Sequence, residues 1–287
     1  MSSIASILPA EARLSILDIG ASFLADKSGG DDAEFDYNPL IESGKARLIG
    51  FEPDPVECQK LRDHYGPPNQ FFEKFLGDGS PAKFHQTNWA LTGSLFEPNR
   101  PLLELFDSLH ECTTLVGIHP VTTTRLDDIE ELDDVDFIKI DVQGSELPIL
   151  MNATRILQSA VMIQIEVAFV EAYKGQPMFS DVDAFLRSRQ FQFHTFLGYQ
   201  GRSFKPIRNS ENPLGAFNQW LSGEACYVKD WMHLAKLPDI KLLKLAVLLH
   251  DLIGSYDLAH LVMSELDRRL DSNYASEYAK WMAEDGS

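Results

Sequence analysis

Two acidic side chains stand near the carboxyl ends of two consecutive apolar runs. Phe137 to Val142 carries Asp141, and Val161 to Val167 carries Glu166. Both runs are β-branched and of strand length, as in strands buried on both faces of a parallel sheet. In open α/β sheets, ligands sit outside the carboxyl ends of the strands. A carboxylate held there can take a proton from a hydroxyl, which contributes about 10²–10⁴-fold to a reaction. Asp141 is the first candidate for such a base, or for holding the hydroxyl, with Glu166 beside it. A divalent cation on the same two carboxylates is another way to acidify a hydroxyl. The spacing offers no third ligand, so a metal is not favoured. Lys139 alternates onto the side of its strand that carries Asp141. A lysine in a buried strand needs a partner, and Glu166 is the one expected. Each residue also has a structural reading. Asp141 could cap the following turn, Glu166 could serve a structural ion pair, and Glu146 suits the first turn of a helix without any catalytic role.

The elements before these strands read as a nucleoside grip. Leu14 to Ile19 is a strand that runs into Asp18-Ile-Gly-Ala-Ser22. A dinucleotide site wants three glycines, so that backbone can approach a pyrophosphate. Only Gly20 is present, which suits a nucleoside without phosphates. Asp18, Gly20, Ala21 and Ser22 are the candidate contacts in this turn. A second strand, Ala46 to Phe51, closes with Glu52-Pro53, where an acidic residue accepts hydrogen bonds from ribose hydroxyls. The gap between the two motifs exceeds the usual ~20 residues. A polar, Gly-rich stretch over 25–38 accounts for the excess and reads as a loop. A third strand, Gln70 to Leu76, places Asp78 where it could meet an adenine amino group, although a β-turn aspartate looks the same. Gln143, in the turn after the central strand, is counted with the cofactor side.

Further elements follow from patterning. Pro39 to Ser43, Pro55 to His64, Leu102 to Leu109, Glu146 to Leu157 and Val182 to Arg189 read as helices. Lys83 to Thr87 and Val121 to Thr124 read as extended segments, and Phe191 to Phe196 and Ala225 to Lys229 as strands. The long connection 198–224 is the candidate substrate-facing cap. Glu146, His194 and Arg208 are the candidate acceptor contacts. A core or rim histidine and a solvated surface arginine are the structural readings of the last two.

Composition sets outer limits. The chain has 287 residues, 44% of them hydrophobic, and a formal charge of −18. That size holds one large domain, or one with a small appendage. The acidity argues against nucleic-acid binding and against a polybasic membrane anchor. No apolar stretch approaches the roughly 18 residues of a membrane span, so no membrane insertion is expected. The three cysteines, Cys58, Cys112 and Cys226, show no metal-ligand spacing. With no basic segment before an apolar run at the N-terminus, they point to a reducing, cytoplasmic setting. From Pro238 onward, apolar residues recur at helical spacing over Lys241–Leu252 and Tyr256–Leu270. This predicts a helical hairpin, and a division into residues 1–235 and 236–287. Packing on the parent domain is its default role; a homodimer contact is the alternative.

Several separated motifs now combine. They are Leu17-Asp-Ile-Gly-Ala21, Gly50-Phe-Glu-Pro53, Thr124-Arg-Leu-Asp-Asp128, Asp136-Phe-Ile-Lys-Ile-Asp-Val-Gln-Gly-Ser-Glu146, Ile165-Glu-Val167, Tyr173-Lys-Gly-Gln-Pro177 and the segment Asn212 to Leu221. Over roughly residues 14–232 this order resembles the FkbM family of S-adenosylmethionine-dependent methyltransferases. The resemblance implies a Rossmann-like, seven-stranded, mostly parallel α/β sheet with helices on both faces and its last strand antiparallel. It also implies S-adenosylmethionine as cofactor, and methyl transfer to a hydroxyl of a sugar, glycolipid or related small-molecule or glycan acceptor. One departure stands out: Ser22 occupies the place where such enzymes carry a second glycine. Two other classes remain as alternatives. The missing Gly-rich motif disfavours a nicotinamide dehydrogenase. A non-catalytic relative would bind a nucleoside or a protein partner and turn nothing over.

Overall fold

The computed structural model describes residues 3–22, 36–210, 212 and 215–285. Most of the Gly-rich stretch at 25–38 lies outside these residues. In chain order the strands are β1 (Leu14–Ile19), β2 (Ala46–Phe51), β3 (Gln70–Phe72), β4 (Phe75–Leu76), β5 (Pro81–Thr87), β6 (Leu115–Thr124), β7 (Phe137–Ile140), β8 (Met162–Ala168), β9 (Phe191–Gly201) and β10 (Trp220–Lys229). Seven of them form one sheet in the order β3-β2-β1-β7-β8-β10-β9. β3, β2, β1, β7 and β8 are mutually parallel, and β10 runs antiparallel to both β8 and β9. This is the Rossmann-like arrangement that the motifs implied.

Period-2 alternation divides the core into two layers. Leu14, Ile16, Leu48, Phe137, Met162, Cys226 and Val228 face one side, with the helix Pro55–Tyr65 and the C-terminal helices. Leu17, Ile19, Ile49, Phe51, Ile138, Ile140, Ile163 and Ile165 face the other, with the helices Glu146–Met151, Thr154–Ser159 and Phe179–Ser188. On the first face the apolar pattern stops partway along the strands. Asp18 lies opposite Gly50 on β2 and Lys139 on β7, and Lys139 lies opposite Gln164 on β8. Nearer the carboxyl edge, Glu166 on β8 lies opposite Glu224 on β10. The sheet therefore carries a polar end on one face, beyond the part that the C-terminal helices cover.

The helix Asp239–Asp251 is buried almost all round, as a helix apolar on every face requires. Its two lysines find a carboxylate. Lys241 Nζ is 2.5 Å from Asp136 Oδ1 and Lys244 Nζ is 2.8 Å from Asp136 Oδ2, while the Ser15 amide donates to the same Oδ2. Asp136, fully buried at the start of β7, thereby ties the C-terminal layer to the centre of the sheet.

Several expected boundaries move. The predicted third strand, Gln70 to Leu76, is two strands: β3 stays in the main sheet, and β4 joins β5 and β6 in a second, three-stranded sheet. Leu102 to Leu109 is not one helix; Arg100–Leu103 and Leu109–Cys112 are separate short helices. Glu146 to Leu157 is broken between Met151 and Thr154. β9 and β10 extend well past the predicted Phe196 and Ala225, so the connection between them shrinks to 202–219. A third helix, Tyr274–Asp285, follows the predicted hairpin.

Candidate functional site

The turn after β1 sets the geometry of the carboxyl edge. Gly20 has φ +86°, and a Cβ there would lie 2.0 Å from the Asp141 carbonyl oxygen. Only glycine permits so close an approach at that φ. The amides of Gly20 and Ala21 both donate to the Phe51 carbonyl, and the Asp141 amide donates to the Ile19 carbonyl. The ends of β1, β2 and β7 are thus pinned together by backbone alone. Glu52 stands at the end of β2, where its Oε1 accepts from the Asp54 amide at 2.7 Å. Burial, together with the charges of Asp54, Glu57 and Asp18, pushes its carboxyl up to about 7. Pro53 leads into Asp54, which caps the helix Pro55–Tyr65 by accepting from the Val56 and Glu57 amides.

One step back along the face lies a cleft lined by Asp18, Ser22, Tyr37 and Lys139 above Leu48, Leu61 and Phe71. The Tyr37 hydroxyl donates to Asp18 Oδ2 at 2.6 Å. Lys139 Nζ sits 3.6 Å from Asp18 Oδ1, so the lysine's partner is Asp18 and not the expected Glu166. Register explains the correction: Lys139 is directly opposite Asp18, whereas Glu166 is two residues beyond the position facing Lys139. Asp18 Oδ1 is buried and makes no hydrogen bond among the described residues.

At the edge itself, Asp141, Glu146 and Glu166 bring carboxylate oxygens within 4.8 Å of one another. Sequence spacing had revealed no third acidic group; the turn after β7 folds Glu146 back into place. Glu146 Oε1 accepts from the Val142 amide at 2.8 Å and the Gly144 amide at 3.1 Å, which fixes that turn. Gln143 bridges the other two. Its Nε2 donates to Asp141 Oδ1 at 2.8 Å and to Glu166 Oε2 at 3.3 Å. Burial, then the Asp141 charge, pushes Glu146 up to about 7. The Glu166 carboxyl is driven well above the usual range by burial, then by Asp141, Glu146 and Glu224, with the Ser222 hydroxyl partly offsetting them. Amide donors from Val142, Gly144 and Gln143 partly balance the charge. The three carboxylates could also hold a divalent ion with hard-oxygen preference.

The remaining candidates fall elsewhere. Asp78 lies in the turn after β4, in the second sheet, and its Oδ1 accepts from the Ser80 amide at 2.9 Å; it is a turn aspartate. His194 packs edge-on to Trp231, and Asp257 of the C-terminal helices is the charge it feels; burial pushes its pKa down. Arg208 pairs with Asp107 at 2.9 Å, tying the connection 202–219 to the short helices before β6. Three polar residues that were not site candidates, Gln164, Glu224 and Tyr173, join the edge. Gln164 donates from Nε2 to Glu224 Oε2 at 3.0 Å, and Tyr173 reaches Gln143. Gln164 could have been found as the polar residue alternating with Glu166 in an apolar run. Tyr173 opens the motif Tyr173-Lys-Gly-Gln-Pro177, but in the loop after β8 no strand alternation aims it at the edge.

Comparison with known proteins places this edge in context. Solved structures of similar shape include the magnesium protoporphyrin IX methyltransferase of Synechocystis PCC 6803 with bound S-adenosylmethionine. It is 14% identical with a TM-score of 0.37, over 76% of this chain and 71% of that one. A TehB-like methyltransferase from Corynebacterium glutamicum is 14% identical with a TM-score of 0.35, over 79% and 85%. A putative methyltransferase of Haloferax volcanii, in complex with the activator Trm112, is 10% identical with a TM-score of 0.36, over 79% and 86%. These scores are too low to add to the fold already described. No curated protein matches the sequence. The family model described as the methyltransferase FkbM domain matches residues 18–193, from Asp18 through the whole carboxylate cluster to β9. The chain belongs to the FkbM methyltransferase family.

Proposed function

We propose that this protein transfers the methyl group of S-adenosylmethionine to a hydroxyl oxygen of a sugar, glycolipid or related small-molecule acceptor. Family membership supports methyl transfer with this cofactor. The observation that carries the finer reading is the position of Asp141. Its backbone closes against Gly20 in the nucleoside turn, and its carboxylate belongs to the cluster at the same edge.

The residues present fit such a ligand. The Gly20 turn packs on the Asp141 carbonyl and so brings the β1 and β7 ends together at one edge, and Asp18 Oδ1 is a buried acceptor without a hydrogen bond among the described residues. Glu52 would accept from the ribose hydroxyls, and Asp18, Ala21 and Ser22 would flank the amino-acid end. When bound, the cofactor supplies a methyl group already activated on a sulfonium.

What the protein adds is alignment and a proton acceptor. Holding an oxygen in line with the methyl can lower a barrier by about 7–11 kcal/mol. Asp141 takes the hydroxyl proton as the oxygen attacks, a contribution of about 10²–10⁴-fold. Glu166 and Glu146, whose carboxyls burial raises, stand beside it. Lys139 acts indirectly, by standing 3.6 Å from Asp18 in the cleft. Among the described residues no helix is long and apolar enough to cross a membrane.

A screen of hydroxylated acceptors with radiolabelled S-adenosylmethionine tests the proposal. Label transferred to oxygen, and lost in Asp141→Asn, is the expected result. Label on nitrogen or carbon would refute the hydroxyl assignment.

A further inference from the structure

We propose that Tyr173 is a positioning residue for the carboxylate cluster and acts through the side-chain amide of Gln143. Its purpose rests on the methyl-transfer reading above; its geometry does not. Gln143 has φ +58°, in the left-handed region where a non-glycine residue is strained unless its surroundings hold it there. Two neighbours hold it. The Ser94 hydroxyl donates to the Gln143 carbonyl at 2.6 Å. The Tyr173 hydroxyl lies 3.0 Å from Gln143 Oε1 and 2.9 Å from the Thr92 carbonyl, and is shared between them.

A side-chain amide has one acceptor end and one donor end. Asp141 and Glu166 accept from the nitrogen end, and turning the amide over would set its oxygen against them. The Tyr173 hydroxyl donates to the oxygen end. Tyr173 thus anchors the end of the bridge that the carboxylates do not hold. The bridge in turn holds Asp141 by Oδ1 and leaves Oδ2 outside that bond. Tyr173 is 6% exposed, and its amide donates to Gln176 Oε1 at 2.6 Å, so the ring has little freedom to move. The charged groups facing the bridge are Asp141 and Glu146 from the turn after β7, Glu166 from β8 and Glu224 from β10. All four are acidic, and burial beside them pushes the Tyr173 hydroxyl itself up, keeping it a donor. Losing the bridge would let the two nearest carboxylates swing apart or share a proton, changing which of them receives the acceptor's.

The test is spectroscopic and needs no acceptor. In ¹⁵N-labelled protein, the Gln143 amide pair is assigned by its disappearance in Gln143→Leu. It is expected to exchange slowly with solvent. Tyr173→Phe keeps the ring and removes only the hydroxyl. There the amide is expected to shift and to exchange at least ~10-fold faster, while backbone resonances remote from the cluster stay in place. An amide unchanged in shift and exchange overturns the proposal. If Tyr173→Phe does not fold, the reciprocal experiment decides. With tyrosine labelled at the ring carbon bearing oxygen, the Tyr173 signal must move in Gln143→Leu; a stationary signal overturns the proposal. Calorimetry with S-adenosylhomocysteine on the same samples keeps the two ideas apart. Absence of binding by the unmutated protein removes the methyl-transfer reading and leaves the amide result intact.

Discussion

The Cα of Gly20 packs directly over the Asp141 carbonyl, so closely that a Cβ would lie 2.0 Å from the oxygen. The first turn of the nucleoside grip and the candidate base are therefore parts of one rigid corner. The corner links the family's first motif, around Asp18 and Gly20, to its central one, around Asp141, without any side-chain contact.

That contact makes Gly20→Ala a severe change. The substitution meets backbone and not a flexible side-chain end, and it does so at φ +86°. A destabilisation of about 2–4 kcal/mol is expected, together with loss of S-adenosylhomocysteine binding. Thermal unfolding and calorimetry measure the two effects. A variant with unchanged Tm and affinity would mean that the turn is looser than described.

Asp141→Asn preserves shape and removes the proton acceptor. Cofactor affinity is expected to stay within about threefold, while kcat on an acceptor falls by about 10²–10⁴-fold. Equal losses in binding and turnover would mark Asp141 as a cofactor contact instead.

Stability should fall as pH rises from about 5 to 7.5. The carboxyls of Glu52 and Glu146 are raised to about 7 from an ordinary 4.5, and Glu166 is raised too. Across that window the folded protein binds more protons than the unfolded chain, so raising the pH favours unfolding. His194, pushed down by burial, opposes this only toward the acidic end. Glu265, held down at about 2 by Arg268 and Arg269, matters only below about pH 4.5. Tm measured from pH 5 to 7.5 without ligand is expected to drop. A Tm that climbs through this range would contradict the protonation states assigned to the edge.

Much of the edge was legible because β strands alternate strictly. Apolar runs ending in Asp141 and Glu166 fixed two neighbouring strands and the face that their carboxylates share. The Lys139 partner was misread because one strand's pattern does not give the register of the next. Only the pairing of β7 with β1 puts Asp18 opposite the lysine. Glu146 and Tyr173 join the cluster through turns, whose paths follow from hydrogen bonds such as Glu146 to Val142 and Gly144. Asp78 was misplaced for a similar reason, since the chain leaves the main sheet after Phe72 and starts a second one.

The C-terminal layer is expected to be indispensable for folding. Asp136 is fully buried between Lys241 and Lys244. Asp136→Ala leaves Lys241 and Lys244 with only the half-exposed carboxylate of Asp134 and should cost about 1.5–3 kcal/mol, measured by chemical denaturation. A cost below about 1 kcal/mol would show that water reaches the lysines.

The account depends most on Glu52 and the nucleoside it would hold. Calorimetry at pH 8, above the Glu52 value of about 7, should show S-adenosylhomocysteine binding to the unmutated protein and NADH giving no heat. Glu52→Ala should weaken that binding about tenfold or more, equivalent to about 1.4 kcal/mol. A protein that ignores S-adenosylhomocysteine, or a Glu52→Ala variant that binds it equally well, would contradict the account.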